Sequence, residues 1–169
     1  MAEFRRVREQ SEVDAVAALA REIWTQHFVP IIGQAQVEYM LEHVQGANAI
    51  AGQIASGYEY YIVVDGGKQV GYLALVPQPA DGAVQLSKLY LLEKCRGRGL
   101  GKEMLAFAEQ RCRELGAGTL WLTVNKYNAG PIAFYERMGF ENVGAIVADI
   151  GGGFVMDDYR MKKILTQRR

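Results

Sequence analysis

Apolar residues along the first part of the chain recur at helical spacing. Val13, Val16, Ala17, Ala20, Ile23 and Trp24 form one stripe, and Ser11 with Asp14 three residues on predicts its start as a variant capping box. Val37, Met40, Leu41 and Val44 predict a second helix after Pro30 and Gly33, and Ile50 with Ile54 a short third before Gly57. The period then shortens to that of strands. Tyr58 to Val64 and Gln69 to Val76 are β-branched and aromatic runs joined by Asp65-Gly66-Gly67-Lys68, which predicts a hairpin, and a third run extends from Val84 to Leu92. From Leu100 the helical period returns: Leu100, Met104, Ala108, Cys112 and Leu115 share a stripe that ends at Gly116. A strand from Thr119 to Val124, a short helix starting near Asn128, a strand from Phe140 to about Val147, a triple-glycine turn and a last run from Phe154 to Leu165 complete the order. Helices and strands mixed in this way, without repeats or low-complexity linkers, predict one α/β domain over residues 1–169.

Composition narrows the function classes. The 169 residues are 50% hydrophobic and 22% charged, with 19 basic and 19 acidic side chains, so no net field attracts nucleic acid or an anionic membrane. No apolar stretch approaches the ~20 residues that span a bilayer, and Met1-Ala2-Glu3-Phe4-Arg5-Arg6 lacks a signal-peptide core; the expectation is a cytoplasmic protein with neither a membrane nor a nucleic-acid partner. Cys95, Cys112, His27 and His43 show no metal-ligand spacing, so no metal is expected.

The stretch richest in chemistry is Leu89-Tyr90-Leu91-Leu92-Glu93-Lys94-Cys95-Arg96-Gly97-Arg98-Gly99-Leu100-Gly101-Lys102, a strand passing through a basic, glycine-rich turn into the strongest helix. Such a turn offers backbone N–H groups and the positive end of a helix dipole to an anion, and Arg96, Arg98 and Lys102 add charge suited to a pyrophosphate. A Walker loop is excluded, because Arg96 occupies its first glycine position and Glu103 follows Lys102; the dinucleotide fingerprint is excluded because its third glycine falls at Lys102. Arg-x-x-Gly-x-Gly does fit, as Arg96, Gly99 and Gly101. About thirty residues on stands Asn128-Ala129-Gly130-Pro131-Ile132-Ala133-Phe134-Tyr135-Glu136-Arg137-Met138-Gly139-Phe140, with Asn128 suited to an N-cap, Pro131 to a first turn and Gly139 to a C-cap.

These two motifs, in this order, resemble the coenzyme A loop and the Asn…Ala…Phe-Tyr…Gly-Phe signature of the GCN5-related N-acetyltransferase family, over roughly Tyr58 to Lys163. The resemblance implies a mixed sheet of about six to seven strands flanked by helices and splayed beside the cofactor strand. It implies acetyl-coenzyme A as cosubstrate, held by Leu89, Tyr90 and Leu91 of that strand, by Arg96, Gly97, Arg98, Gly99, Leu100, Gly101 and Lys102 of the turn, and by Asn128. The reaction implied is direct attack of an amine on the acetyl thioester, with Tyr135 as the general acid that protonates the departing thiolate and the Leu89–Leu91 N–H groups polarising the carbonyl. Neither cysteine is needed as a nucleophile. The general base stays unassigned: Thr123 stands where some relatives carry a glutamate, and Glu59 and Glu93 read either as bases acting through a water chain or, in preference, as solvated strand-end carboxylates.

For the acceptor, Glu22, Glu38, Glu42, Glu59 and Asp65 lie in a stretch free of Lys and Arg, which favours a cationic amine such as a polyamine. Trp24, His27, Phe28 and Tyr39 offer either a cation-binding cage or plain core. The chain is also similar, more weakly, to the branch containing bacterial spermidine and spermine N-acetyltransferases. Open alternatives are a non-catalytic coenzyme A sensor, which would not need Tyr135, and an acetyltransferase acting on a protein or peptide amine. A homodimer paired through the Phe154–Leu165 strand is a further expectation.

Overall fold

The computed structural model describes residues 1–165. In chain order the elements are β1 (Glu3–Arg6), α1 (Gln10–His27), α2 (Val29–Ile32), α3 (Gln34–His43), α4 (Ala47–Ala55), β2 (Glu59–Asp65), β3 (Lys68–Gln78), β4 (Ala83–Leu91), α5 (Leu100–Glu114), β5 (Thr119–Asn125), α6 (Ala129–Arg137), β6 (Glu141–Gly151) and β7 (Phe154–Ile164). The strands form one mixed sheet in the order β1-β2-β3-β4-β5-β7-β6. The α/β class and the seven strands agree with the expectation from sequence.

The chain divides into two compact units, the first comprising residues 1–76 and 88–106 and the second residues 77–87 and the chain from Phe107 onward. In the first unit β1, β2 and the start of β3 are antiparallel neighbours, with Phe4 opposite Val63 and Tyr61 opposite Leu73. The β2–β3 turn places Gly66 and Gly67 at φ of 58° and 79°, the two left-handed positions of a tight hairpin. Tyr60 to Val64 are all buried, as in a strand covered on both faces, and Val16, Ala20 and Ile23 of α1, Val37 of α3 and Ile50 of α4 are buried with them. Each large side chain so removed from water contributes about 1.5–3 kcal/mol.

Two details differ from the sequence reading. The helix α1 begins two residues earlier than the Ser11–Asp14 pair suggests: Glu12 Oε1 accepts from the N–H groups of Glu9 (2.9 Å) and Arg8 (3.0 Å), a capping box in which a glutamate replaces the usual hydroxyl. β1 has four residues around the single apolar Phe4, too short for periodicity to reveal it.

In the second unit β5 alternates, with Leu120, Leu122 and Val124 buried. Its parallel pairing with β4 runs only from Ala83–Gln85 against Thr119–Trp121, while both strands continue beyond it. β7 is antiparallel to β5 on one side and to β6 on the other. The expectation that Phe154–Leu165 is a free edge for dimer pairing is therefore wrong: β7 is paired on both sides, and the edge strands of the sheet are β1 and β6. Leu115 also departs from its stripe, lying past the end of α5 and 38% exposed, whereas Met104, Ala108 and Cys112 are fully buried. Cys95 and Cys112 are buried free thiols.

Candidate functional site

The first unit carries the glycine-rich turn. After β4 a single 3-10 turn, Glu93–Cys95, redirects the chain, and Gly97 and Gly99 follow at φ of 80° and 79°, a conformation that L side chains adopt at a cost of about 1–2 kcal/mol. A Cβ at either glycine would meet nothing within 4 Å, so the backbone there faces open space. α5 then starts at Leu100. Its first hydrogen bond comes from Glu103 N–H to the Gly99 carbonyl at 3.1 Å, which leaves the N–H groups of Leu100, Gly101 and Lys102 without acceptors inside the helix. Lys102 and Arg98 are exposed beside them, Arg98 3.6 Å from Asp65. Arg96 turns the other way: its guanidinium lies 3.2 Å from His27 Nδ1 and 3.4 Å from the Leu91 carbonyl, so it braces the turn against α1.

The strand before the turn is held from behind. The Leu92 N–H donates to the Val70 carbonyl at 2.9 Å, and at Gly71 a Cβ would collide with the Tyr90 carbonyl, so β3 approaches β4 more closely than any side chain permits. Leu89 and Tyr90 are half-buried and Leu91 is buried. The Tyr90 ring meets Trp24 edge-on at 5.6 Å, and Trp24 stacks on Phe28 at 4.1 Å. Tyr39, expected in this group, pairs instead with His43 at 4.3 Å. The adjacent strand residue, Lys88, is buried, and its amine donates to the Val44 carbonyl (2.8 Å), to Gln53 Oε1 (3.1 Å) and to the Tyr60 hydroxyl. Burial pushes its pKa down to about 7. Lys88 stands in the inward phase of β4 set by Val84 and Leu86, the one signal in the sequence that points to its burial.

In the second unit Asn128 and Tyr135 open and line α6. Asn128 takes the N-cap position, but its side chain makes no capping bond, and it is buried. Tyr135 is 7% exposed, with Phe134 and Phe140 at 5.4 and 5.5 Å, and burial pushes its phenol pKa well above the ordinary value. It keeps its proton at neutral pH. Thr123 on β5 bonds the carboxylate of Asp158 on β7, a second residue that sequence reading missed; only the pairing of β5 with β7 brings it there. Asp158 is buried, and burial raises its pKa to about 6.

The acidic stretch is mostly neutralised. Glu59 is not solvated, as expected from sequence, but buried 3.6 Å from Arg6 and bonded by the Tyr61 hydroxyl. Glu38 lies 3.8 Å from Arg21, and Asp65 pairs with Arg98. Glu22 and the exposed Glu93 line, with Gln26, Leu92 and Lys94, a cavity of about 280 Å³. Among the described residues no cluster of His, Cys, Asp and Glu is arranged to hold a metal, and no helix is long and apolar enough to cross a membrane.

Residues 17–140 match the sequence profile of the acetyltransferase (GNAT) family. An uncharacterized N-acetyltransferase in the pepI 3′ region of Lactobacillus delbrueckii subsp. lactis is 27% identical over 165 residues, covering 93% of this chain and 94% of that protein. Streptothricin acetyltransferase of Streptomyces lavendulae is 30% identical over 99 residues, 59% of this chain and 52% of that protein. Of solved structures, the PaiA N-acetyltransferase of Thermoplasma acidophilum in complex with coenzyme A superposes with a TM-score of 0.79 at 20% identity, covering 98% of this chain and 99% of that one.

Proposed function

The chain belongs to the acetyltransferase (GNAT) family, and from that premise we propose how its residues divide the work of moving an acetyl group from acetyl-coenzyme A to a primary amine. The observation that carries the reading is the turn: two left-handed glycines open to space, three N–H groups with no acceptor inside their helix, and exposed Arg98 and Lys102, which together suit the pyrophosphate of the cosubstrate. Arg96, held by His27 and Leu91, positions that turn. The backbone of Leu89, Tyr90 and Leu91 receives the pantetheine arm and polarises the thioester carbonyl, and Asn128 bonds the arm further along.

The neutral amine attacks the carbonyl carbon, and the C–S bond breaks as the tetrahedral intermediate collapses. Tyr135 gives its proton to the departing thiolate. A buried phenol suits this role because it is fully protonated beforehand, and a positioned acid contributes about 10²–10⁴ in rate. The presence of this tyrosine is what favours an enzyme over a coenzyme A sensor.

A cationic small molecule is the acceptor class we place first. Glu22 and Glu93 at the cavity beside β4 outnumber its one basic residue, Lys94, and supply negative potential of the kind that receives an ammonium, whereas Trp24 and Phe28 are buried against Tyr90 as core. The polyamine reading rests on these two carboxylates, since Glu38, Glu59 and Asp65 are already paired. The test is release of free thiol from acetyl-coenzyme A with spermidine, spermine, streptothricin, aminoglycosides, amino acids and peptides. Turnover confined to the polycationic compounds supports the reading; preference for acidic amino acids or peptides overturns it.

A further inference from the structure

Asp158 is a buried carboxylate of the second unit, and Lys126, the cation that acts on it, is ion-paired with Asp157 instead. It is 3% exposed, and its Oδ1 has no hydrogen-bond partner, while the Thr123 hydroxyl bonds the carboxylate. Leaving a buried carboxyl oxygen unpaired costs about 1–3 kcal/mol or more, an arrangement that folding alone does not favour.

Its position is set by pleat and register. Lys163, opposite Leu120, reaches Glu109 of α5 at 2.9 Å, which identifies that sheet face as the one covered by α5. Two-residue alternation then puts Thr123 and Asn125 of β5, with Arg160 and Asp158 of β7, on the other face. There the Arg160 guanidinium lies over the Trp121 ring at 4.1 Å, and Lys162 stands opposite Glu141 of β6, away from Asp158 at the other end of the row. Asp158 is paired with Asn125, the last residue of β5, whose carbonyl accepts the Asn128 N–H at 3.0 Å. The carboxylate therefore sits at the carboxyl end of a strand that is parallel to β4, where open α/β sheets bind ligands, and at the entrance to the helix that carries Asn128 and Tyr135.

We propose that Asp158 is the general base of the reaction, taking the proton from the acceptor ammonium while Thr123 holds its carboxylate in place. This rests on the acetyltransferase reading above. In the step, one N–H bond of the ammonium breaks and its proton passes to Asp158 Oδ1, directly or through one water. The freed nitrogen lone pair forms the C–N bond, the C–S electron pair leaves on the thiolate, and Asp158 returns the proton to solvent after product departs.

The electrostatic surroundings favour this work. Desolvation raises the Asp158 pKa, the Thr123 bond opposes the rise, Asp157 adds to it and Lys126 opposes it, and the balance lies at about 6. Arg160 and Lys162 stand two and four residues along the same face of β7, and β6 places Ile146 opposite Asp158, with Gly144 and Ala148 beside it and Glu141 opposite Lys162. A base with a pKa near 6 is mostly ionised at neutral pH yet far more basic than an ordinary aspartate.

The decisive comparison is Asp158→Asn with two kinds of nucleophile, both followed by thiol release from acetyl-coenzyme A. With the fastest basic amine of the panel above, kcat/KM falls at least about 100-fold; with hydroxylamine, which is already neutral at the assay pH, it falls less than about tenfold. Equal loss with both nucleophiles, or no loss with either, overturns the assignment. Carbon-13 carboxyl NMR of the full chain gives an acceptor-independent check: one carboxyl titrates near pH 6 in the wild type and disappears in the variant, and its absence from the wild type overturns the proposal. Coenzyme A binding by both proteins, measured by calorimetry, separates the two levels. A wild type that does not bind coenzyme A refutes the acetyltransferase reading, whereas normal binding with unchanged turnover in the variant refutes only the role of Asp158.

Discussion

The Lys88 amine lies 2.8 Å from the carbonyl oxygen of Val44, so a lysine of β4 caps the end of α3, forty-four residues away in the chain. With Gln53 and Tyr60 as its other acceptors, it ties β4, α4 and β2 into one polar knot inside the apolar core of the first unit. Its three acceptors are neutral oxygens that offset little of the desolvation, so burial dominates the titration of the amine.

Stability should therefore rise with pH. The folded-state pKa of Lys88, about 7, is below its ordinary value of 10.5, so between those values the unfolded chain binds the extra proton. The burial cost is full below about pH 7 and vanishes as pH passes the unfolded value. Urea midpoints of the wild type are expected to increase from neutral to alkaline pH relative to Lys88→Met, in which this component is absent; parallel profiles would count against a depressed pKa.

Replacing Tyr135 by Phe keeps the ring that packs between Phe134 and Phe140 but removes the acidic proton. Acetyl transfer is expected to fall about 10²–10⁴-fold, with coenzyme A binding and melting temperature nearly unchanged. Steady-state kinetics and calorimetry on the same preparation check it, and a loss below threefold would return the acid role to solvent.

Gly71→Ala is expected to be costly although it adds one methyl group. The new Cβ meets the Tyr90 carbonyl, a backbone atom that cannot swing aside, so β3 and β4 must separate. A loss of about 1–3 kcal/mol in urea unfolding, accompanied by a raised KM for acetyl-coenzyme A, is the expected pair of results. Loss of stability with an unchanged KM would show that the cofactor strand does not depend on this contact.

The turn makes two separable predictions. Gly99→Ala forces an L residue to φ of 79° and is expected to cost about 1–2 kcal/mol of stability along with coenzyme A affinity. Lys102→Ala leaves the backbone alone. Its weaker coenzyme A binding should converge on the wild-type value as salt is raised, because an exposed charge is screened; titrations at low and high ionic strength test this.

Much of this was legible in the residues themselves. The hairpin at Gly66-Gly67, the α5 stripe through Met104 and Cys112 and the glycine turn at Gly97 and Gly99 are local features, each set by backbone sterics or by a period of a few residues. The start of α1 was misread because a glutamate at residue 9 does the capping that a hydroxyl usually does, and β1 was missed because four residues carry too little pattern.

Residue order and spacing were enough for the order and type of most elements and for the two motifs that identify the family, since both depend on neighbours within a few positions. Tertiary structure alone decided that Lys88 is buried among oxygens from three other elements, that Glu59 is paired with Arg6 and not solvated, that Arg96 is turned to His27, that β6 and not β7 is left with an open side, and that Asp158 meets Thr123. The physical reason is the same in each case: the environment of a polar side chain is set by partners tens of residues away, and the fall of a charge on one face of a strand says nothing of what that face will meet until the strands are paired.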